Sequence, residues 1–145
     1  MWIAAVGPVK LFPNLEAALK GVFNRVLTTL DLAGNSIGVE GAKAIADSLK
    51  SGMAVLTFLD LRNNYTIGDD GAKAIAEALK VNPVLTSLDV GHNNLTEQAA
   101  LGIVRVARQQ DKITNLGLGG CKIGPIGAKE IADYIQFTAV LTTRS

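Results

Sequence analysis

The sequence predicts an α/β solenoid of stacked strand–turn–helix units, on two observations. A nine-residue motif recurs four times. Leu27 to Asn35 reads Leu-Thr-Thr-Leu-Asp-Leu-Ala-Gly-Asn, and Leu56 to Asn64 reads Leu-Thr-Phe-Leu-Asp-Leu-Arg-Asn-Asn. Leu85 to Asn93 reads Leu-Thr-Ser-Leu-Asp-Val-Gly-His-Asn, and Ile113 to Cys121, more loosely, Ile-Thr-Asn-Leu-Gly-Leu-Gly-Gly-Cys. The central leucines Leu30, Leu59, Leu88 and Leu116 stand 29, 29 and 28 residues apart. The second observation is a change of period inside each unit, from the alternation of a strand to the spacing of a helix. A fixed period of this length means that each unit lies on the next and completes its core there.

Taken in chain order, residues 1–26 form a flanking segment with a partial repeat. Leu15 to Lys20 aligns with Ile45 to Lys50, and Met1 and Ile3 fall 29 residues before Leu30 and Leu32, so residues 2–6 are read as a degenerate strand. Residues 27–145 hold four copies and a truncated fifth strand, since Val140-Leu-Thr-Thr-Arg begins as Val26-Leu-Thr-Thr-Leu does. In the first copy Leu27, Leu30 and Leu32 are assigned to the buried face of a strand, and Thr29, Asp31 and Ala33 to the open face. The helical half, Gly41 to Leu49, places Ala42, Ile45, Ala46 and Leu49 on one stripe, with Lys43, Asp47 and Lys50 outside it. Gly71 to Leu79 repeats that helix almost letter for letter, and Ala99 to Ala107 and Gly127 to Ile135 are the third and fourth copies. Glu40, Asp69, Asp70 and Glu97 put negative charge at helix starts, and Pro125 suits a first helical position, where its missing N–H costs nothing.

Asn35, Asn64 and Asn93 each stand five residues after a central leucine, and Cys121 holds that place in the fourth copy. The chain must turn inward there, which takes backbone N–H and C=O groups away from water. A buried amide serves both kinds of group, so these positions are read as a structural ladder. The second copy is one residue longer after Asn64, and Tyr65 is assigned to the insertion.

The pattern Leu-x-x-Leu-x-Leu-x-x-Asn-x-Ile, followed by Gly-Ala-Lys-x-Ile-Ala-x-x-Leu, resembles the leucine-rich repeat family, in particular its ribonuclease-inhibitor-like subclass. The resemblance covers residues 27 to about 138. It implies a right-handed horseshoe with a parallel sheet on the concave side and α-helices on the convex side, binding partners on the concave face. The cysteines of ribonuclease inhibitor itself are absent, so that function is not carried over.

A length of 145 residues bounds the chain to one domain. Apolar residues make up 48% and charged residues 19%, which excludes disorder. A net charge of +1 argues against nucleic-acid binding by bulk electrostatics, and no apolar run reaches the roughly 20 residues of a membrane helix. The single cysteine builds no disulfide framework, so a cytoplasmic location is expected, or a nuclear one. Neither end shows a polar capping motif, and self-association through uncapped ends is expected.

The larger groups on or beside the open strand face are Phe58, Arg62, Tyr65 and His92, aromatic and cationic residues of the kind interface hot spots favour. Asp31, Asp60 and Asp89 recur between the leucines and form a column that suits a basic partner. Phe58, Asp60, Arg62, Tyr65, Asp89 and His92 are therefore the candidate partner-binding residues. With one His, one Cys and no matched nucleophile–base pair, no catalytic residue, metal site or cofactor is expected. The reading is a non-catalytic protein-interaction module. A small-GTPase regulator like Ran GTPase-activating protein and a sensing fragment of a larger NOD-like receptor or effector are its rivals.

Overall fold

The computed structural model describes residues 28–51, 55–137 and 142–144. The orientation expected of Leu27, the degenerate strand and the partial repeat before it lie outside them. Three-residue strands alternate with helices: β1 (Thr29–Asp31), α1 (Gly38–Lys50), β2 (Phe58–Asp60), α2 (Gly68–Leu79), β3 (Ser87–Asp89), α3 (Glu97–Gln110), β4 (Asn115–Gly117), α4 (Pro125–Phe137) and β5 (Thr142–Arg144). All neighbours in the sheet are parallel, in the order β1-β2-β3-β4-β5. The register aligns Leu30 with Leu59, Leu59 with Leu88 and Leu88 with Leu116. Each helix is the crossover that a parallel pair needs, and the helices line the convex side. The fold is the expected α/β solenoid.

Core formation follows from the two periods. Leu30, Leu59, Leu88 and Leu116 are no more than 1% exposed, and the residues two further on, Leu32, Leu61, Val90 and Leu118, are buried beside them. The helical stripes Ala42, Ile45, Ala46, Leu49 and Ala72, Ile75, Ala76, Leu79 close the same core from the other side. Lys43, Lys73 and Lys129 stay exposed on the convex surface.

The strand-to-helix turns are held by the asparagines. Asn64 Oδ1 accepts from the backbone N–H of Asn35 at 2.9 Å and of Ile37 at 3.0 Å. Its Nδ2 donates to the carbonyls of Leu61, Leu32 and Arg62 at 2.8, 3.2 and 3.3 Å. Asn93 repeats the arrangement one rung on: Oδ1 accepts from Asn64 N–H at 3.0 Å, and Nδ2 donates to Leu61, Val90 and Gly91. Each amide thus binds its own turn and the preceding one. Asn35, at the start of the described array, donates to Ala33 O within its own turn. Cys121 occupies the fourth position and is buried, but a thiol cannot play both parts of an amide.

Three further side chains link the repeats outside the ladder. Asp69 accepts from Thr96 N–H at 3.0 Å and Thr96 Oγ1 at 2.7 Å, while Glu97 Oε2 accepts from Gly124 N–H at 2.6 Å and Gly127 N–H at 3.1 Å. These acids stand in the first turn of their own helices and also hold the entry to the next one. On the return side, buried Asn82 donates to Leu49 O at 3.0 Å and accepts from Val84 and Leu85 N–H. It fastens a helix-to-strand turn onto the rung before.

Three expectations need correction. Asp60 and Asp89 are 3% and 9% exposed, so the strand face is not open at those places. Their carboxylates fold along the chain onto backbone N–H groups, and Arg62 covers them. Tyr65 is not the inserted residue. Ser36, Tyr65 and Asn94 share one turn position, each with φ between 53° and 60°, and the extra residue is Thr66, bonded to Asn64 O. In α4 the stripe Ala128, Ala132 and Ile135 is exposed, because among the described residues no further helix lies against it.

Candidate interaction surface

The sheet brings three of the six candidate residues into one charged cluster. Asp31, Asp60 and Asp89 are in register on adjacent strands. Each carboxylate accepts the N–H two residues ahead: Ala33 at 3.0 Å, Arg62 at 3.0 Å and Gly91 at 2.9 Å. This local turn bond is why aspartate follows the central leucine. Arg62 then bends back over its own strand. Nε lies 3.0 and 3.1 Å from the two oxygens of Asp60, Nη2 lies 2.8 Å from Oδ2, and Nε is 3.6 Å from Asp89 Oδ2.

One guanidinium therefore serves two carboxylates that would otherwise repel across neighbouring strands. The hydrogen bond to Asp60 holds the Arg62 pKa above its ordinary value, and the charges of Asp60, Asp89 and Asp31 add to this against the opposing effect of burial. The side chain remains 43% exposed. It is a cation fixed in direction and still open to a partner, so little ordering entropy is lost when it is met. Asp89 leans over Gly117, where a Cβ would collide with its carboxylate. The fourth rung therefore carries glycine in place of a fourth aspartate.

The other three candidates lie around this cluster. Phe58 is half-buried on β2, aligned with Thr29 and Ser87. Tyr65 and His92 sit in the strand-to-helix turns on either side of the ladder positions, Tyr65 after Asn64 and His92 before Asn93. Both are exposed, with φ of 56° and 55°. His92 lies over Gly120, whose own φ is 67° and which leaves no room for a Cβ. Along the strand starts, Thr57, Thr86 and Thr114 each donate Oγ1 to the carbonyl of the threonine one rung before, at 3.2, 3.2 and 3.4 Å. That row is a repeat-to-repeat tie.

Nucleophilic chemistry at Cys121 is disfavoured. Burial, with the nearby charge of Asp89, pushes the Cys121 thiol up to about 11, far from the range in which a thiolate forms. Among the described residues no group of three or more His, Cys, Asp or Glu side chains is placed to hold a metal ion.

Tyr65 has the backbone conformation least suited to its type. The left-handed region costs a non-glycine residue of order 1–2 kcal/mol, and a ring 65% exposed recovers little of that by packing. Tyr65→Gly is expected to raise stability by about 0.5–1 kcal/mol, after allowance for the greater entropy of glycine in the unfolded chain. Thermal melts read this directly, and a lowered midpoint would mean that the ring packs more than its exposure indicates.

Sequence reasoning missed Asn82, Asp69 and Glu97 as bridging residues. Asn82-Pro83 carried a turn signal. Nothing in a single repeat showed that Asp69 and Glu97 reach into the next one.

Comparison with known proteins agrees with this geometry. A family profile described as Leucine Rich repeat matches residues 23–46, 53–76 and 81–104. The chain is 30% identical over 122 residues to NACHT, LRR and PYD domains-containing protein 9 of Bos taurus, a match covering 83% of this chain and 12% of that protein. The chain therefore spans about an eighth of that relative. Among solved structures it is similar to Leiomodin-1 Actin-Binding Site 2, with a TM-score of 0.77 and 24% identity over 90% of this chain and 75% of the other. That likeness is one of fold.

Proposed function

We propose, from the premise that this chain carries leucine-rich repeats, that it is a non-catalytic module that binds a protein partner across the concave sheet and its strand-to-helix turns. The observation that carries this reading is Tyr65. An aromatic side chain 65% exposed, on a backbone at φ 56°, adds little to folding, which leaves recognition as its use. Arg62, held by Asp60 and Asp89 with its outer edge in solvent, supplies a preorganised cation beside it in the sequence. Phe58 adds apolar area and His92 a polar rim, while Asp60 and Asp89 act by holding Arg62.

A protein surface fits this chemistry better than a nucleic acid. The net charge is +1, and the exposed convex lysines Lys43 and Lys129 stand beside acids, Glu40 and Asp133. No helix of the described residues is long and apolar enough to cross a membrane. We place the protein in the cytoplasm or nucleus, in keeping with a single buried cysteine.

Affinity capture with the chain as bait, followed by mass spectrometry, identifies the partner. Tyr65→Ala is expected to weaken the captured complex by about tenfold, the scale of an interface anchor, without lowering the melting temperature by more than a few degrees, and Arg62→Ala to weaken it at least as much while also costing stability, since Asp60 and Asp89 lose their shared cation. Affinity unchanged in both variants would remove the partner from this surface.

The mammalian relative supports a second reading, in which these repeats are the sensing segment of a larger receptor, since the matched region is 12% of a protein named for NACHT and PYD domains as well. A small-GTPase regulator is separated from both by a GTP hydrolysis assay, in which no acceleration is expected.

A further inference from the structure

The insertion in the second repeat gives its ladder asparagine a second chemical meaning. In the first and third copies the residue two places after the ladder amide is apolar and buried: Ile37 after Asn35, and Leu95 after Asn93. In the second copy the extra Thr66 takes that place, and the core residue Ile67 moves one further on, still buried. Asn64-Tyr65-Thr66 thereby becomes an Asn-x-Thr acceptor for N-linked glycosylation. The sequence holds one other, Asn94-Leu95-Thr96.

The two acceptors stand in opposite surroundings. Asn94 is exposed, at the turn position it shares with Tyr65, and a sugar there has solvent to enter. Asn64 is 1% exposed, and the atom that would carry the sugar is its Nδ2. The two hydrogens of that nitrogen serve the carbonyls of Leu61, Leu32 and Arg62. Glycosylation joins Nδ2 to the anomeric carbon of a lipid-diphosphate-linked oligosaccharide. The carbon–oxygen bond to the diphosphate breaks, the lipid diphosphate leaves, and Nδ2 gives up one proton. One N–H then remains, and a bulky sugar chain has to leave a site closed to solvent. It can do so only by opening the turn, which takes Asn64 Oδ1 away from the N–H groups of Asn35 and Ile37. Since folded Asn64 is out of reach, the sugar is attached only to a chain that has not yet folded, and burial gives no protection.

We propose that this fold is incompatible with synthesis into the secretory lumen: delivered there, the chain is glycosylated at Asn64 and cannot close its ladder, whereas Asn94 carries a sugar without harm. The placement in the cytoplasm or nucleus thereby gains a reason independent of Cys121. The inference uses nothing of the partner-binding reading, so each can fail without the other.

The test sends the full chain into the secretory lumen of a eukaryotic cell behind a cleavable leader, with the same chain made in the cytoplasm as reference. Endoglycosidase treatment and peptide mass spectrometry locate the sugars, and limited proteolysis reads the fold. The wild type is expected to carry sugar on Asn64 and Asn94, and the lumenal form to be cut about tenfold faster or more than the cytoplasmic one. Thr66→Val removes the acceptor and leaves Asn64 with its amide bonds. That variant should carry sugar on Asn94 alone and be cut within about threefold of the cytoplasmic chain. Thr66→Ser keeps the acceptor and should behave as the wild type. Thr66→Val made in the cytoplasm checks that the substitution itself is tolerated, and Thr66→Ala replaces it if it is not. Asn64 left bare in the lumen, a chain with sugar on Asn64 that resists protease as the cytoplasmic form does, or removal of the acceptor without gain in resistance would each overturn the inference.

Discussion

Leu59→Ala is expected to destabilise the protein by about 2–5 kcal/mol, the range for a buried leucine that leaves a cavity. Leu59 is 0% exposed at the centre of β2, and its Cα neighbours across the sheet are Leu30 on one side and Leu88 on the other. A void at this place takes contacts from both adjoining rungs. In a solenoid most of the stability of a rung lies in its two neighbour interfaces, so the loss is not confined to one repeat. Chemical denaturation should show the full loss in the midpoint. Thr57→Ala, two residues before, loses only one exposed hydrogen bond to Thr28 O and should cost no more than about 1 kcal/mol. Comparable values for the two variants would mean that Leu59 does not sit between rungs.

Asn64→Ala is expected to cost about 3–4 kcal/mol, more than a single hydrogen bond can explain. The amide is 1% exposed and joins two turns. Its removal leaves Asn35 and Ile37 without the oxygen their N–H groups use, and takes the amide donor away from Leu32 O. Leu61 O keeps its bond from Asn93, and Arg62 O keeps one from Gly34 N–H, so the damage falls mainly on the preceding repeat. Asn64→Asp should be no better than alanine. It retains an acceptor but points a buried anion at carbonyl oxygens. Thermal melts of the two variants side by side distinguish a two-sided amide from a simple acceptor, since a mild effect of aspartate would show that the donor half is dispensable.

The main structural frame was legible because it is written several times over. The 29-residue spacing, the alternation around Leu30 and Leu32, and the stripe from Ala42 to Leu49 all point to one packing, and agreement between levels of this kind is what makes a sequence specify a fold. The ladder role of Asn64 and Asn93 was legible for the same reason. The site was less so. Alternation assigns Asp60 and Asp89 to the outer side of the sheet, but it does not reveal that Arg62 bends back over them, and both aspartates are buried on that side. Counting residues located an insertion after Asn64 but put it at Tyr65, because only backbone dihedrals show that Ser36, Tyr65 and Asn94 are one position. The repeat alignment treats Ala128, Ala132 and Ile135 as equivalent to core residues, yet their burial depends on what lies beyond them.

Period and residue type by themselves determined the strands, the helices and the inward-facing leucines, because those follow from the geometry of one chain and the cost of wetting apolar surface. Contacts between rungs were decided only in three dimensions: the cation shared by Asp60 and Asp89, the reach of Asp69 and Glu97 into the next helix, the tyrosine held out in solvent and the open face of α4. The first two depend on the distance between residues some thirty positions apart, and the last two on which surfaces stay uncovered, and both are fixed only after the units have stacked.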